Sequence, residues 1–196
     1  MSVTRPNIPL DHKRAFTTGL GDFIDPSEPL WTLLSQNYTA LEAFILKLEL
    51  PQKSGDWVLR KPSVAETETS VSSTGWRFWA SAGDLYCACH VGRINEGPPK
   101  MTGFSTVVQV LADIERFNQL SAIPELAGTA FEPHVLRIAW YPLEAFWLRS
   151  TVADVEDHFV VFSGFPPEEL DSMEAYPMKT FLKAIDKRAS ELRARK

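Results

Sequence analysis

The spacing of apolar positions predicts two amphipathic helices in the first two thirds of the chain. Between Ser27, a residue suited to an N-cap, and Pro51, which stops a helix, apolar side chains recur every three or four residues. This stripe predicts a helix over 28–49. The same spacing predicts a helix over 104–120, with these positions facing the core: Val107, Val110, Leu111, Ile114 and Phe117.

A third helix is predicted over 178–195, close to the end of the chain. Its apolar stripe predicts packing on the domain and consists of Met178, Phe181, Leu182 and Ile185. Lysines recur at a spacing of four beside the stripe, which is typical of a solvated helix face: Lys179, Lys183 and Lys187.

Alternating apolar positions predict strands between these helices. Residues 75–91 contain two such runs on either side of Ala82-Gly83-Asp84, which favours a turn, so they predict a β-hairpin. Further runs between 135 and 163 predict an antiparallel meander. The predicted fold class is therefore α+β, with an antiparallel sheet of about five strands. The sheet would combine the hairpin 75–91 with the meander 135–163 and be packed by helices 28–49, 104–120 and 178–195.

The residues before the first predicted helix show little periodicity and contain several prolines. They predict an extended N-terminal arm over 1–26. Residues 27–196 would then form a single α+β domain, long enough to bury a core without disulfides or metals.

Charge and composition disfavour several classes of function. The net charge of −5 argues against a nucleic-acid binder, because phosphate binding needs a positive surface. The N-terminus lacks the apolar core of a signal peptide, and no apolar run is long enough to span a bilayer. Two cysteines placed two residues apart do not form a disulfide framework. A cytoplasmic location follows as the expectation.

The segment Cys87-Ala88-Cys89-His90 combines residues that bind metals or act as nucleophiles. In a strand, Cys87 and Cys89 share an apolar row with Leu85 and Val91, while His90 faces the other side. Zinc needs about four converging ligands, so no metal site is predicted. We expect both thiols to be buried and unreactive.

The residues Asp157-His158-Phe159-Val160-Val161 resemble the histidine-bearing strand of papain-like cysteine peptidases, and the order of cysteine before histidine also matches. The resemblance implies a cysteine hydrolase that uses Cys87 or Cys89 with His158. The chain differs from that family because both cysteines lie in a predicted strand, whereas the family's nucleophile lies at a helix N-terminus.

Tryptophans provide the remaining functional signal. On one strand Trp76 and Phe78 alternate with Trp79, so the rings face both sides of the sheet. We expect some of them to form an aromatic surface or cleft that binds a partner. The candidate binding residues are Trp76, Trp79, Trp140 and Trp147.

The sequence therefore favours a non-enzymatic, acidic, cytosolic protein-binding module of the adaptor, chaperone or immunity-protein type. Its negative charge predicts a partner with a basic surface. The alternatives are a papain-like cysteine hydrolase and a binder of apolar small molecules. No cofactor is predicted, and the oligomeric state is left open.

Overall fold

The structure is a computed structural model that describes residues 2–3, 6–46, 71–106, 108–138 and 141–194. The helices in these residues are α1 (Leu10–Leu20), α2 (Pro29–Gln36), α3 (Gln109–Gln119) and α4 (Met178–Ala194). The strands are β1 (Ser2–Val3), β2 (Tyr38–Leu46), β3 (Val71–Ala82), β4 (Leu85–Arg93), β5 (Pro99–Ser105), β6 (Ala130–Ile138), β7 (Leu143–Ser150), β8 (His158–Gly164) and β9 (Ala175–Pro177). Two short 3₁₀ turns follow α3, at Leu120–Ala122 and Pro124–Leu126.

The chain divides into two compact units. Among the described residues, unit A contains 6–43, 74–106 and 108–118. Unit B contains 2–3, 44–46, 71–73, 119–138 and 141–194. The division into an arm over 1–26 and a single domain over 27–196 stays a prediction.

Unit A contains the predicted β-hairpin. β3 and β4 pair antiparallel from Trp76 opposite Val91 to Ala82 opposite Leu85, and Gly83 turns the chain with a φ of 60°. The strand order is β5-β4-β3-β2. Residues of α1 and α2 share one buried cluster with the hairpin, and the rings of Phe16 and Phe78 stack with their centroids 4.4 Å apart.

Unit B contains the predicted meander. β6, β7, β8 and β9 pair antiparallel in sequence order, and β1 pairs parallel with β6. The predicted last helix is present as α4, whose stripe joins the core of unit B. Phe181 of α4 stacks on Phe159 of β8 with the ring centroids 4.4 Å apart.

The α+β class is confirmed, but the predicted sheet is wrong in two respects. It is mixed, because β1 and β6 run parallel. It also has more strands than the expected number of about five. β2 and β5 account for part of the difference, since both lie wholly or partly in segments that were expected to be helical or loop.

The predicted helix over 28–49 ends early, at Gln36, and residues 38–46 form β2 instead. Side chains on both faces of β2 are buried, so its apolar residues satisfy a helical spacing and an alternating one together. Periodicity cannot distinguish these cases in a short apolar run. Tyr38, Thr39, Phe44 and Ile45 favour the strand.

The predicted helix over 104–120 begins late, at Gln109, because Phe104 and Ser105 belong to β5. Proline is tolerated at the first position of an edge strand, where Pro99 lies.

The arm expected to be extended over 1–26 contains the helix α1. The buried positions of α1 have helical spacing, but two of them are His12 and Gly19. Because neither is a large apolar residue, the spacing of apolar residues does not indicate this helix.

None of the helices in the described part of the chain is long and apolar enough to cross a membrane.

Candidate functional site

The two cysteines of β4 lie inside the core of unit A. Both have a relative exposure of 0%, and they belong to one cluster with Phe16, Phe78 and Val91. The prediction that alternation places them in one apolar row is confirmed. The hydrogen bond with the Cys87 thiol, together with burial, raises the pKa of Cys89. Both effects favour the neutral thiol of Cys89, whereas the same hydrogen bond lowers the pKa of Cys87.

The two histidines that the sequence analysis associates with the cysteines, His90 and His158, each contact a backbone oxygen. Nε2 of His90 lies 3.1 Å from the carbonyl oxygen of Thr74. Nδ1 of His158, in unit B, lies 3.0 Å from the carbonyl oxygen of Glu156. Since the thiols are buried in unit A, the described residues present no solvent-accessible nucleophile of the kind that a papain-like hydrolase requires.

Two of the four tryptophans expected to bind a partner are enclosed in the cores. Trp76 is 6% exposed in unit A, and Trp147 is 1% exposed in unit B. Trp147 Nε1 donates a hydrogen bond of 3.0 Å to Asp157, and the Arg149 guanidinium lies 5.4 Å from the ring centroid. Trp147 belongs to the same buried cluster as Phe181, Leu182 and Ile185 of α4, so it does not form an open aromatic surface. Trp140 lies outside the described residues.

The remaining candidate, Trp79, lines a cleft in unit A, which we call the Trp79 cleft. The volume of the cleft is about 190 Å³. Trp79 itself is 3% exposed, whereas the neighbouring Ile114 and Phe117 of α3 are half-buried. The residues that line it are Asn37, Tyr38, Thr39, Trp79, Ser81, Ile114, Phe117 and Asn118.

The rim of the Trp79 cleft is fixed by hydrogen bonds between Asn37 and Ser81. Nδ2 of Asn37 donates to the carbonyl oxygen and to Oγ of Ser81, both at 3.0 Å. The Ser81 N–H donates to the Asn37 carbonyl oxygen at 3.1 Å, and the Asn37 N–H donates to Leu33 at the end of α2. Asn37 and Ser81 are therefore held in fixed positions beside the apolar side chains of Ile114 and Phe117.

The pattern of apolar residues identified Trp79 but not the residues around it. The helical spacing predicts Ile114 and Phe117 on a core-facing stripe, and the helix predicted over 28–49 has Asn37 in its interior. Asparagine is common where helices end, and Asn37 follows the last residue of α2. That signal would have marked the end of the helix, whereas the rim depends on the contact with the distant Ser81.

Comparison of the chain with family models, with curated proteins and with solved structures gave no match. Within the described part of the chain, no group of three or more His, Cys, Asp or Glu side chains is placed to hold a metal ion. The function is therefore inferred from the shape and chemistry of the cleft itself.

Proposed function

We propose that this protein is a non-enzymatic, cytosolic protein-binding module of the adaptor, chaperone or immunity-protein type, and that the Trp79 cleft receives one side chain of its partner. The observation that carries the proposal is the apolar surface of Ile114 and Phe117 beside Trp79, next to a polar rim. Binding energy at protein interfaces is concentrated where an apolar anchor enters such a pocket.

The size of the cleft favours a side chain over a free small molecule. Pockets for small molecules usually measure about 300–1,000 Å³. The Trp79 cleft, at about 190 Å³, falls below that range. This volume suits one apolar or aromatic side chain of a partner, and it is small for the Trp79 cleft to bind an apolar small molecule.

The rim supports contacts with the backbone of a partner. Nδ2 of Asn37 already donates hydrogen bonds to Ser81. Among the described residues, no donor reaches Asn37 Oδ1, which stands on an exposed side chain. A partner N–H can therefore donate to this oxygen while a neighbouring side chain enters the cleft.

The net charge of −5 supports a partner with a basic surface. Opposite net charges steer association, so binding would be faster at low ionic strength. The hydrolase alternative receives no such support, since both thiols are fully buried.

The experiment fills the cleft from its rim without removing core packing. Trp79 is too enclosed for an alanine test, because truncating a buried tryptophan costs about 3–5 kcal/mol of stability. Asn118 is exposed on the rim, so Asn118→Trp adds bulk to the cleft. The matched control is Gln119→Trp, since Gln119 is the next residue of α3, is exposed and does not line the cleft.

Linear peptides would be selected from a random phage library against the unmodified protein, and their affinities measured by fluorescence polarisation. We expect the selected peptides to share an apolar residue flanked by basic residues. Asn118→Trp should weaken binding at least about tenfold, equivalent to about 1.4 kcal/mol, and Gln119→Trp should leave it unchanged. The proposal is wrong if no peptide is enriched, or if the enriched peptides bind Asn118→Trp as tightly as the unmodified protein.

A further inference from the structure

Unit B also contains a cleft, which we call the Arg137 cleft. It lies at one end of the strands of unit B and is larger than the Trp79 cleft of unit A. Its volume is about 430 Å³, within the range of about 300–1,000 Å³ that is usual for small-molecule sites. Among the residues that line it are Arg137, Tyr141, Leu143, Glu144, Ser163 and Gly164.

Three polar side chains form a row across adjacent strands of this cleft. Arg137 of β6 is paired in register with Glu144 of β7, and Glu144 is paired in register with Ser163 of β8. Register partners lie on the same face of a sheet, so the three side chains project together. The register shifts directly after Glu144, and irregularities of this kind often re-aim side chains beside functional sites.

The wall of the cleft is held by a close approach of two backbone segments. The N–H of Phe165 donates to the carbonyl oxygen of Pro142 at 3.0 Å. Gly164 has a φ of 95°, and a Cβ at this position would collide with the same carbonyl oxygen. Pro142, which directly precedes β7, is thereby held against the end of β8.

The guanidinium of Arg137 is held in place and still has donors to offer. Its Nε contacts Glu144 Oε1 at 2.9 Å, and its side chain is 52% exposed whereas that of Glu144 is 19% exposed. No other residue of the described chain forms a hydrogen bond or ion pair with Arg137. The two Nη groups therefore form a planar pair of donors, which matches the two oxygens of a carboxylate.

The rest of the cleft suits an apolar body of limited size. Tyr141 is 8% exposed and Leu143 is 2% exposed, and the Arg188 guanidinium lies 6.0 Å from the centroid of the Tyr141 ring. The carboxylate of Glu144 beside Arg137 repels a second negative charge, so a ligand with one charge is favoured over a dianion such as a phosphate monoester.

We propose that the Arg137 cleft binds a small organic monocarboxylate, whose carboxylate is held by the Nη groups of Arg137 and whose apolar part lies against Tyr141 and Leu143. This site is independent of the Trp79 cleft, because the residues of the two clefts belong to different units.

The test uses 3-phenylpropionate as the probe and nuclear magnetic resonance of the ¹⁵N-labelled full chain as the readout. We expect saturable shifts of the Leu143, Ser163 and Gly164 amides with a Kd of about 1 mM, an ordinary affinity for a probe of this size. The uncharged analogue 3-phenylpropanamide should produce no saturable shift there.

Two variants assign the binding to Arg137. Arg137→Gln should weaken the affinity for 3-phenylpropionate at least about tenfold. The control is Arg93→Gln in unit A, because Arg93 is also an exposed arginine, with 50% side-chain exposure, in an ion pair with a carboxylate. Arg93→Gln should bind like the unmodified protein. The proposal is overturned if the probe gives no saturable shift, if the amide analogue binds as tightly as the acid, or if a folded Arg137→Gln protein keeps its affinity.

Discussion

The indole Nε1 of Trp147 donates a hydrogen bond of 3.0 Å to Oδ2 of Asp157, and both side chains are buried. The other carboxylate oxygen of Asp157 accepts a hydrogen bond of 2.9 Å from the N–H of Ser150. One carboxylate therefore satisfies a side-chain donor and a backbone donor at the end of β7. A buried donor that loses its acceptor costs about 1–3 kcal/mol.

We predict that Asp157→Ala lowers the free energy of unfolding by about 2–5 kcal/mol, because two buried N–H groups lose their acceptor together. Urea denaturation followed by tryptophan fluorescence measures the change. Asp171→Ala is the control, since Asp171 is exposed. Equal stability of the two variants would show that the carboxylate does not contribute.

The stability of unit B should also depend on His134. This residue is 1% exposed, and burial, with a smaller effect of the Arg149 charge, lowers its pKa to about 3. In the unfolded chain the pKa of histidine is about 6.5. Between these two pH values the unfolded chain binds a proton that the folded protein does not bind, so stability falls as the pH falls below about 6.5.

Linkage gives a loss of about 2 kcal/mol at pH 5 from His134. We therefore expect the unmodified protein to lose about 2 kcal/mol more than His134→Gln between pH 7 and pH 5. The comparison requires urea denaturation of both proteins at both pH values. Parallel losses in the two proteins would contradict the assignment of this pH dependence to His134.

Cys87 and Cys89 should not react with thiol reagents in the folded protein. Both are fully buried among apolar side chains, and a reactive cysteine needs an accessible site that favours the thiolate. Titration with an aromatic disulfide reagent should detect both thiols only after denaturation. Rapid labelling of either thiol without denaturant would contradict the buried arrangement and restore the hydrolase hypothesis.

Gly164→Ala should destabilise unit B by about 2 kcal/mol or more. Gly164 has a positive φ, and the Cβ of alanine at this position would collide with the carbonyl oxygen of Pro142. Gly83→Ala is a matched control. Gly83 also has a positive φ, but nothing lies near the position of its Cβ, so its substitution should cost about 1 kcal/mol. Thermal unfolding distinguishes the two, and similar costs would show that the contact with Pro142 does not matter.

Local patterns were sufficient for the elements whose periodicity permits one interpretation. The hairpin is marked by alternation on both sides of Gly83, and α4 is marked by a single stripe that includes Phe181 and Ile185. β2 could not be predicted in this way, because burial on both of its faces makes a strand resemble a buried helix.

The candidate sites depend on contacts between residues that are distant in the sequence. The sequence alone indicates Trp79 as a candidate binding residue, because tryptophan is common at binding sites. The rest of the Trp79 cleft depends on the hydrogen bonds between Asn37 and Ser81 and on the side chain of Phe117. The row in the Arg137 cleft requires the register of three strands, which one residue of slippage would destroy. No local pattern fixes that register.

Asp157 also has a consequence for how the chain can vary. Its carboxylate is bound to the end of β7, and its carbonyl oxygen accepts a hydrogen bond of 3.1 Å from the N–H of Met178 at the start of α4. Strand and helix are thus joined without the exposed residues 153–155. The cost of closing a longer loop rises only slowly with its length. This segment is therefore a place where we expect an inserted tag or a new pair of chain termini to disturb unit B little.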